Sequence, residues 1–219
     1  ISETASTLIK EQEGKNTVSQ ISQTIVFDKR DNRQEPTKGY VLSLTNDIAG
    51  LGGDTRHLRT EVKTGYFFPI FEDTVFAVIA EGGHILGLGD DVNIGERFFL
   101  GGSTIRGFSN SGLGPRDNET DDALGGNNYY AGTVELRFPL GLPDELGING
   151  SMFTDVGSLW NLDRDTPDIL DSSGIRASFG FGVSWATGLG LMRVDFASAL
   201  LKEDWDETEF VRFSFGTRF

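Results

Sequence analysis

Apolar and polar side chains alternate one by one at the end of the chain. In residues 211–219 one face carries Val211, Phe213, Phe215 and Phe219, and the other face carries Arg212, Ser214, Gly216 and Arg218. This two-residue period is typical of a β-strand. The same alternation recurs in segment after segment, and no segment has a helical pattern. The pattern therefore predicts an all-β protein with antiparallel strands.

Nine segments carry this alternation, and turn residues such as Pro36-Thr37-Lys38-Gly39 separate them. The segments are 18–30, 40–48, 57–71, 75–88, 129–140, 148–160, 175–186, 191–202 and 211–219. Residues 1–14 form either the end of a tenth strand followed by a loop, or a loop alone. Short turns alternate with long loops, as in outer-membrane barrels. We predict an antiparallel transmembrane β-barrel rather than a soluble sandwich, with the aromatic faces in lipid.

Composition supports this class. The chain of 219 residues holds 29 glycines and 17 phenylalanines but only six prolines, which suits many strands joined by tight turns. No run approaches the roughly 20 apolar residues of a spanning helix, whereas a barrel strand needs only about 10 alternating residues. The net charge of −14 argues against a nucleic-acid partner, because phosphate binding requires clustered Lys and Arg.

The longest break in the alternation is the loop 89–128, which we expect to be functional because long loops without secondary structure often are. It contains Gly101-Gly102 and then Ile105-Arg106-Gly107-Phe108. A phosphate-binding loop is excluded by the absence of the GxxxxGK[ST] spacing. The remaining alternative to a binding role is a flexible surface loop in which Arg106 is solvated and has no partner inside the barrel.

No other motif indicates chemistry. The chain has two histidines, His57 and His84, and no cysteine, so no zinc cluster is predicted. The aspartates of the 161–174 loop lack the spacing of a calcium-binding EF-hand. We therefore expect no catalytic residue, no metal and no cofactor, and a protein that is not an enzyme.

The loop tip resembles that of the BamA-type outer-membrane barrel-assembly family, in which a Val/Ile-Arg-Gly-Phe/Tyr tip folds into the barrel lumen. Four further pieces resemble the family in the same order: the turn 28–39, the segment 122–127, Phe153-Thr154-Asp155-Val156-Gly157, and a C-terminal β-signal with Val211, Phe213, Phe215, Gly216 and Phe219. Because the resemblance starts within the pattern of strands, it implies that residues 1–219 are the C-terminal part of a larger barrel, with upstream strands and POTRA domains absent.

The resemblance also implies partners for the loop arginine. In the family this arginine pairs with acidic residues on the two following strands, and the matching positions are Glu135 and Asp155. Alternation sends Glu135 to the lumen, together with Thr133 and Arg137, and sends Val134 to lipid. A buried guanidinium needs a charged partner, and paired carboxylates would hold the tip. The alternative is that both carboxylates are merely solvated in the lumen.

The function implied by the resemblance is the folding and insertion of other outer-membrane proteins, by pairing of an incoming strand with the barrel seam. The expected location is the bacterial outer membrane. Expected partners are membrane lipids, unfolded outer-membrane protein clients and, through POTRA domains, lipoproteins of the assembly complex. The chain itself could also self-associate. Two alternatives stay open: a two-partner-type secretion pore that exports one dedicated polypeptide, and a passive porin.

Overall fold

In the computed structural model, described over residues 5–143, 146–164, 166–187 and 190–216, the chain is almost entirely β. The elements are helix α1 (Thr7–Glu11), strands β1 (Val18–Asp28), β2 (Gly39–Gly53), β3 (His57–Phe71) and β4 (Thr74–Gly87), a 3-10 turn (Ile94–Glu96), and strands β5 (Arg116–Asp117), β6 (Asn128–Pro139), β7 (Ile148–Trp160), β8 (Ile169–Leu170), β9 (Arg176–Thr187), β10 (Gly190–Leu201) and β11 (Val211–Phe215). The all-β prediction is thus confirmed.

Nine of these strands form one antiparallel sheet in the order β1-β2-β3-β4-β6-β7-β9-β10-β11, so that each strand of the sheet lies beside the next sheet strand along the chain. This is the meander expected of a barrel wall. Within the described residues β1 pairs only with β2, and β11 pairs only with β10, so the sheet is not closed into a ring. The short strands β5 and β8 pair separately, between two loops.

The two faces of the sheet differ as the alternation predicts. On β3 the outward side chains include Leu58, Val62 and Tyr66, all of them exposed. On β7 Met152 and Val156 face outward, while inward-facing side chains such as Phe153 are buried. A hydrophobic exterior around a polar interior is the arrangement that lipid outside and water inside require.

The N-terminal segment differs from the sequence-based expectation. Residues 5–17 contain helix α1 rather than the end of a tenth strand, and the expectation of no helix was therefore wrong. Ser6 caps the helix by accepting a hydrogen bond from the Leu8 amide. The Ser6 hydroxyl also donates to Asp117 Oδ2 at 2.5 Å, and its amide donates to Asp122 Oδ2 at 2.7 Å. Contacts with the distant loop therefore hold this segment in place. Such contacts cannot be predicted from the pattern of apolar residues within the segment.

Some strand ends also differ from their predicted positions. The segment predicted as 40–48 continues as β2 through Gly53, and the loop between β4 and β6 is not wholly irregular, because it holds the 3-10 turn and β5. The described part of the last strand ends at Phe215. No helix in the described ranges is long and apolar enough to cross a membrane.

The β1–β2 turn is organised around Asp31. The Asp31 carboxylate accepts hydrogen bonds from the Thr37 hydroxyl and from the amides of Asn32, Thr37 and Lys38. Hydrogen bonding from the Thr37 hydroxyl is the main cause that holds the pKa of Asp31 well below its usual range. Gly39 closes the turn with φ +101°, where a Cβ would lie 2.2 Å from the Lys29 carbonyl oxygen. Only glycine fits there.

Candidate functional site

The loop between β4 and β6 folds against the inner face of the sheet. Its tip residues Ile105 and Phe108 are fully buried and belong to one apolar cluster. The cluster is completed by Ile85, Val92, Phe98, Leu100, Leu113, Tyr129, Ala131 and Leu159. The loop therefore has a core of its own, shared with the wall, and the alternative of a flexible surface loop does not describe it.

Arg106 lies at the tip, 2% exposed, and Asp155 on β7 is its main partner. The guanidinium donates from Nε to Asp155 Oδ2 at 2.7 Å and from Nη2 to Oδ1 at 2.8 Å, a bidentate pair. The backbone amide of Arg106 donates to the same Oδ2 at 2.9 Å. Thr133 on β6 donates its hydroxyl to Oδ1 at 2.7 Å, which orients the carboxylate. Asp155 thus holds both the side chain and the backbone of the tip.

Glu135 on β6 is the second carboxylate at the tip. Its Oε2 accepts from Arg106 Nη1 at 2.8 Å. The aromatic ring of Phe153 lies beneath the same guanidinium, with 3.2 Å between Arg106 Cζ and the ring centroid, so that a cation–π contact adds to the ion pairs. The structure therefore brings together Arg106, Glu135 and Asp155, the three residues that the sequence singled out.

Two glycines allow close approaches at the tip, Gly107 to the wall and Gly101 to the loop itself. Gly107 has φ +92°, and a Cβ there would lie 3.1 Å from Ser178 Cβ on β9. Gly101 has φ +118°, and a Cβ would lie 2.1 Å from the Ser109 carbonyl oxygen. The neighbouring Gly102 donates its amide to the Phe108 carbonyl at 2.9 Å, which closes the tip into a compact turn. Any side chain at these positions would open the tip or move it from the wall.

The residues of the predicted β-signal lie on the last strand. Phe213 and Phe215 are 72% and 77% exposed and point away from the lumen, with Val211 on the same face. Gly216 follows the strand with φ +90° and donates its amide to the Leu191 carbonyl at 2.8 Å. Phe219 lies outside the described residues. Within these residues the signal therefore presents an aromatic outer face.

Sequence reasoning missed two members of the tip network, Arg193 and Asp195 on β10. Arg193 donates from Nη1 and Nη2 to the two oxygens of Glu135, at 3.1 and 2.8 Å, and from Nε to Asp195 Oδ1 at 2.7 Å. Alternation along β10 places both residues on the inner face, so the Arg-x-Asp spacing could have predicted a charged pair that faces the lumen. The spacing could not have predicted that Arg193 contacts Glu135 on β6.

The fold and the tip network define a class of protein: a transmembrane β-barrel whose wall carries an inserted loop, held by buried ion pairs. Comparison with known families gives the particular case. A model of the Omp85 superfamily domain matches residues 2–219, and the chain belongs to that superfamily.

Two known proteins are similar to this chain in sequence. The chain is 40% identical over 207 residues to an outer membrane protein assembly factor BamA of Neorickettsia risticii, covering 94% of this chain and 28% of that protein. It is 33% identical over 170 residues to a human sorting and assembly machinery component 50 homolog, covering 74% of this chain and 36% of the relative. The chain therefore spans about a third or less of the length of these relatives.

A solved structure has the same fold. The crystal structure of BamA from Haemophilus ducreyi lacking POTRA domains 1-3 superimposes with a TM-score of 0.81 and 21% identity, covering 90% of this chain and 42% of that one. Together with the family match and the bacterial relative, this places the chain in the bacterial outer membrane as an antiparallel barrel protein.

Proposed function

We propose that this chain acts in the assembly of outer-membrane β-barrel proteins, by pairing an incoming client strand with the outer edge of β11. The observation that carries the proposal is the edge itself. Within the described residues β11 pairs only with β10, over five residues from Val211 to Phe215. Backbone groups left unpaired in lipid cost several kcal/mol each, roughly, so that such an edge favours the addition of a strand. No covalent chemistry is involved.

The proposed partners follow from this mechanism. The clients are unfolded outer-membrane proteins, and membrane lipids contact the apolar outer face. Lipoproteins of the assembly complex, engaged through POTRA domains, complete the proposed set, which includes no nucleic acid. Support comes from the names of the relatives, an outer membrane protein assembly factor and a sorting and assembly machinery component.

Hydrogen bonding shows which backbone groups of β11 point toward β10 and which point to its outer edge. The Gly216 amide donates to Leu191, and the Phe210 carbonyl accepts from the Ala197 amide, so residues with even numbers from 210 to 216 point their backbone groups toward β10. Alternation then directs the N–H and C=O groups of Val211, Phe213 and Phe215 outward. A proline at Phe213 would remove an outward donor without removing a bond to β10.

This assignment gives a test with a matched control. The full chain is reconstituted in lipid vesicles and given an unfolded outer-membrane protein, and client folding is followed by resistance to heat-induced unfolding on a gel. Phe213→Ala removes the aromatic side chain alone, and we expect it to keep most of the activity. Phe213→Pro removes the outward donor as well, and we expect a much larger loss. Equal activity of the two variants would refute pairing at this edge.

The same vesicles separate the alternatives. A passive porin would give steady ion conductance and no effect on client folding, whereas the tip network favours a lumen partly filled by the loop. A secretion pore would move one dedicated polypeptide across the membrane without inserting it, which protease protection inside the vesicles would reveal.

A further inference from the structure

The charges around the loop tip do not balance with Arg106 alone. Three carboxylates meet there, Glu135 on β6, Asp155 on β7 and Asp195 on β10, and their side chains are 7%, 0% and 4% exposed. Buried carboxylates are costly unless each has a cation and hydrogen bonds. One guanidinium leaves two negative charges uncompensated. Arg193 supplies the second cation, with its side chain 17% exposed.

Arg193 does more than add charge, because it fixes the geometry of Glu135. It donates to both carboxylate oxygens of Glu135 and also to Ser151 Oγ at 3.0 Å, whereas Arg106 takes one Glu135 oxygen only. The same guanidinium holds Asp195 Oδ1, which lies 3.7 Å from Arg106 Nη1. Arg193 therefore sets the positions of two of the three carboxylates around the loop arginine.

The wall leaves space for the contact between Arg193 and Glu135. Two strands, β7 and β9, lie between β6 and β10. Gly182 on β9 stands beside Asp195, and a Cβ there would lie 2.3 Å from Asp195 Oδ1 and 3.1 Å from Arg193 Nη2. The absence of a side chain at this wall position allows the β10 pair to reach Glu135.

Arg193 also sits beside the last strand. In the register of β10 with β11, Arg193 is opposite Ser214 and Asp195 is opposite Arg212. Among the residues that the structure describes, the β10–β11 ladder has five pairs and the β9–β10 ladder has eleven. Arg193 therefore lies within the described pairing of β10 with β11.

A backbone contact joins the loop to the same hairpin. The Ser109 amide donates to the Glu207 carbonyl at 3.0 Å, the Glu207 amide to the Gly112 carbonyl at 2.7 Å, and the Glu209 amide to the Gly107 carbonyl at 3.1 Å. Residues 207–209 lead directly into β11. The loop tip is thus tied to the final hairpin twice, through the Arg106–Asp195 contact that Arg193 supports and through backbone bonds at residues 207–209.

We propose that Arg193 is a positioning residue, which holds Glu135 and Asp195 for Arg106 and thereby couples docking of the loop tip to the pairing of β10 with β11. The inference rests on the proposed function in one respect, that the outer edge of β11 receives the client. Loss of loop docking would weaken the pairing of β11 with β10, and weaker pairing of these two strands would release the loop.

Spin labels test this coupling without any client. The chain has no cysteine, so pairs of introduced cysteines are specific. Ser103→Cys with Phe181→Cys reports the distance from loop tip to wall, and Phe213→Cys with Phe181→Cys reports the distance from last strand to wall. All three positions are exposed, and Phe181 lies on β9, which is paired on both sides. Both distances are measured in vesicles, by electron paramagnetic resonance.

We expect Arg193→Met to broaden both distance distributions and to lower the docked fraction of the loop by roughly tenfold relative to the undocked fraction. Arg106→Met should also broaden the last-strand distance, although none of its side-chain bonds reaches β11. Arg30→Met is the control, since this arginine, with its side chain 7% exposed, pairs with Asp28 next to the β1–β2 turn, and both distances should stay native. If Arg193→Met does not fold, Arg193→Lys serves, with smaller broadening of both distances.

Two results would overturn the inference. One is a broadened last-strand distance with a native loop distance in the Arg193 variant, which would make the residue a local support of β10. The other is a native last-strand distance in Arg106→Met. Either could occur while Phe213→Pro still abolishes client folding, and the coupling could hold while that variant is active. The two proposals therefore fail separately.

Discussion

Replacement of Asp155 by asparagine should release the loop tip far more than replacement of Glu135 by glutamine. Asp155 accepts three hydrogen bonds from Arg106, including the backbone amide, and is 0% exposed. Glu135 accepts only one from Arg106 and two from Arg193. The two variants remove the same charge, so a difference in loop release between them reports the number and arrangement of the hydrogen bonds that each carboxylate makes to Arg106.

The magnitudes follow from these bonds. Breaking a buried ion pair costs about 3–5 kcal/mol, and the asparagine oxygen retains one acceptor, so we expect about 3 kcal/mol for Asp155→Asn. Loss of one charge-assisted hydrogen bond costs about 1.5 kcal/mol, which we expect for Glu135→Gln. These free energies correspond to roughly a hundredfold and a tenfold change in the ratio of docked to undocked loop.

Amide hydrogen exchange of the tip reports this ratio directly. The amides of Gly102 and Arg106 are hydrogen-bonded in the docked loop, so their exchange rates should rise by roughly a hundredfold in Asp155→Asn and by roughly tenfold in Glu135→Gln. Asp28→Asn is a suitable control, because Asp28 pairs with Arg30 next to the β1–β2 turn, and exchange at the tip should not change. Equal acceleration by the two tip variants, or none, would refute the assignment of Asp155 as the main anchor.

Three further predictions concern other parts of the chain. Gly107→Ala should speed exchange at the tip, because its Cβ would meet the wall at φ +92°, while Gly52→Ala, with no atom within 4 Å, should not. Hydrogen bonding from the Thr37 hydroxyl is the main cause of the lowered pKa of Asp31, so the ionised carboxylate stabilises the turn fully above the ordinary aspartate pKa. This stabilisation is lost only as the pH falls through the lowered pKa of Asp31. Turn amides should therefore stay protected from exchange at about pH 3, and Asp31→Asn should expose them at any pH. Arg176→Met leaves a buried aspartate unpaired and should destabilise the barrel by about 3 kcal/mol, seen as a lower temperature of the heat-induced gel shift.

The strands and their faces could be predicted because lipid and lumen impose a local rule, one side chain out and the next side chain in. That rule placed Glu135 on the inner face, and the family resemblance linked it to Arg106. The nine alternating segments correspond to the nine strands of the main sheet. Errors concentrated at strand ends, where turn residues such as Gly50 continue a strand as readily as they end it.

The rest depends on contacts between distant parts of the chain. Helix α1 is held by Asp117 and Asp122, more than 100 residues away, and its few residues carry no helical period. Arg193 reaches Glu135 across two intervening strands, so its role requires the register and curvature of the whole wall. Neither contact follows from the spacing of residues along one strand.

Site-specific cross-linking between β11 and a folding client tests the central claim most directly. A photoreactive residue is placed at Phe215 on the edge strand, and at Phe179 on β9, which is also outward-facing but paired on both sides. The account predicts cross-links from position 215 to the terminal strand of a client during its insertion, and none from position 179. Client folding with no cross-link at 215, or with equal cross-links at both positions, would contradict it.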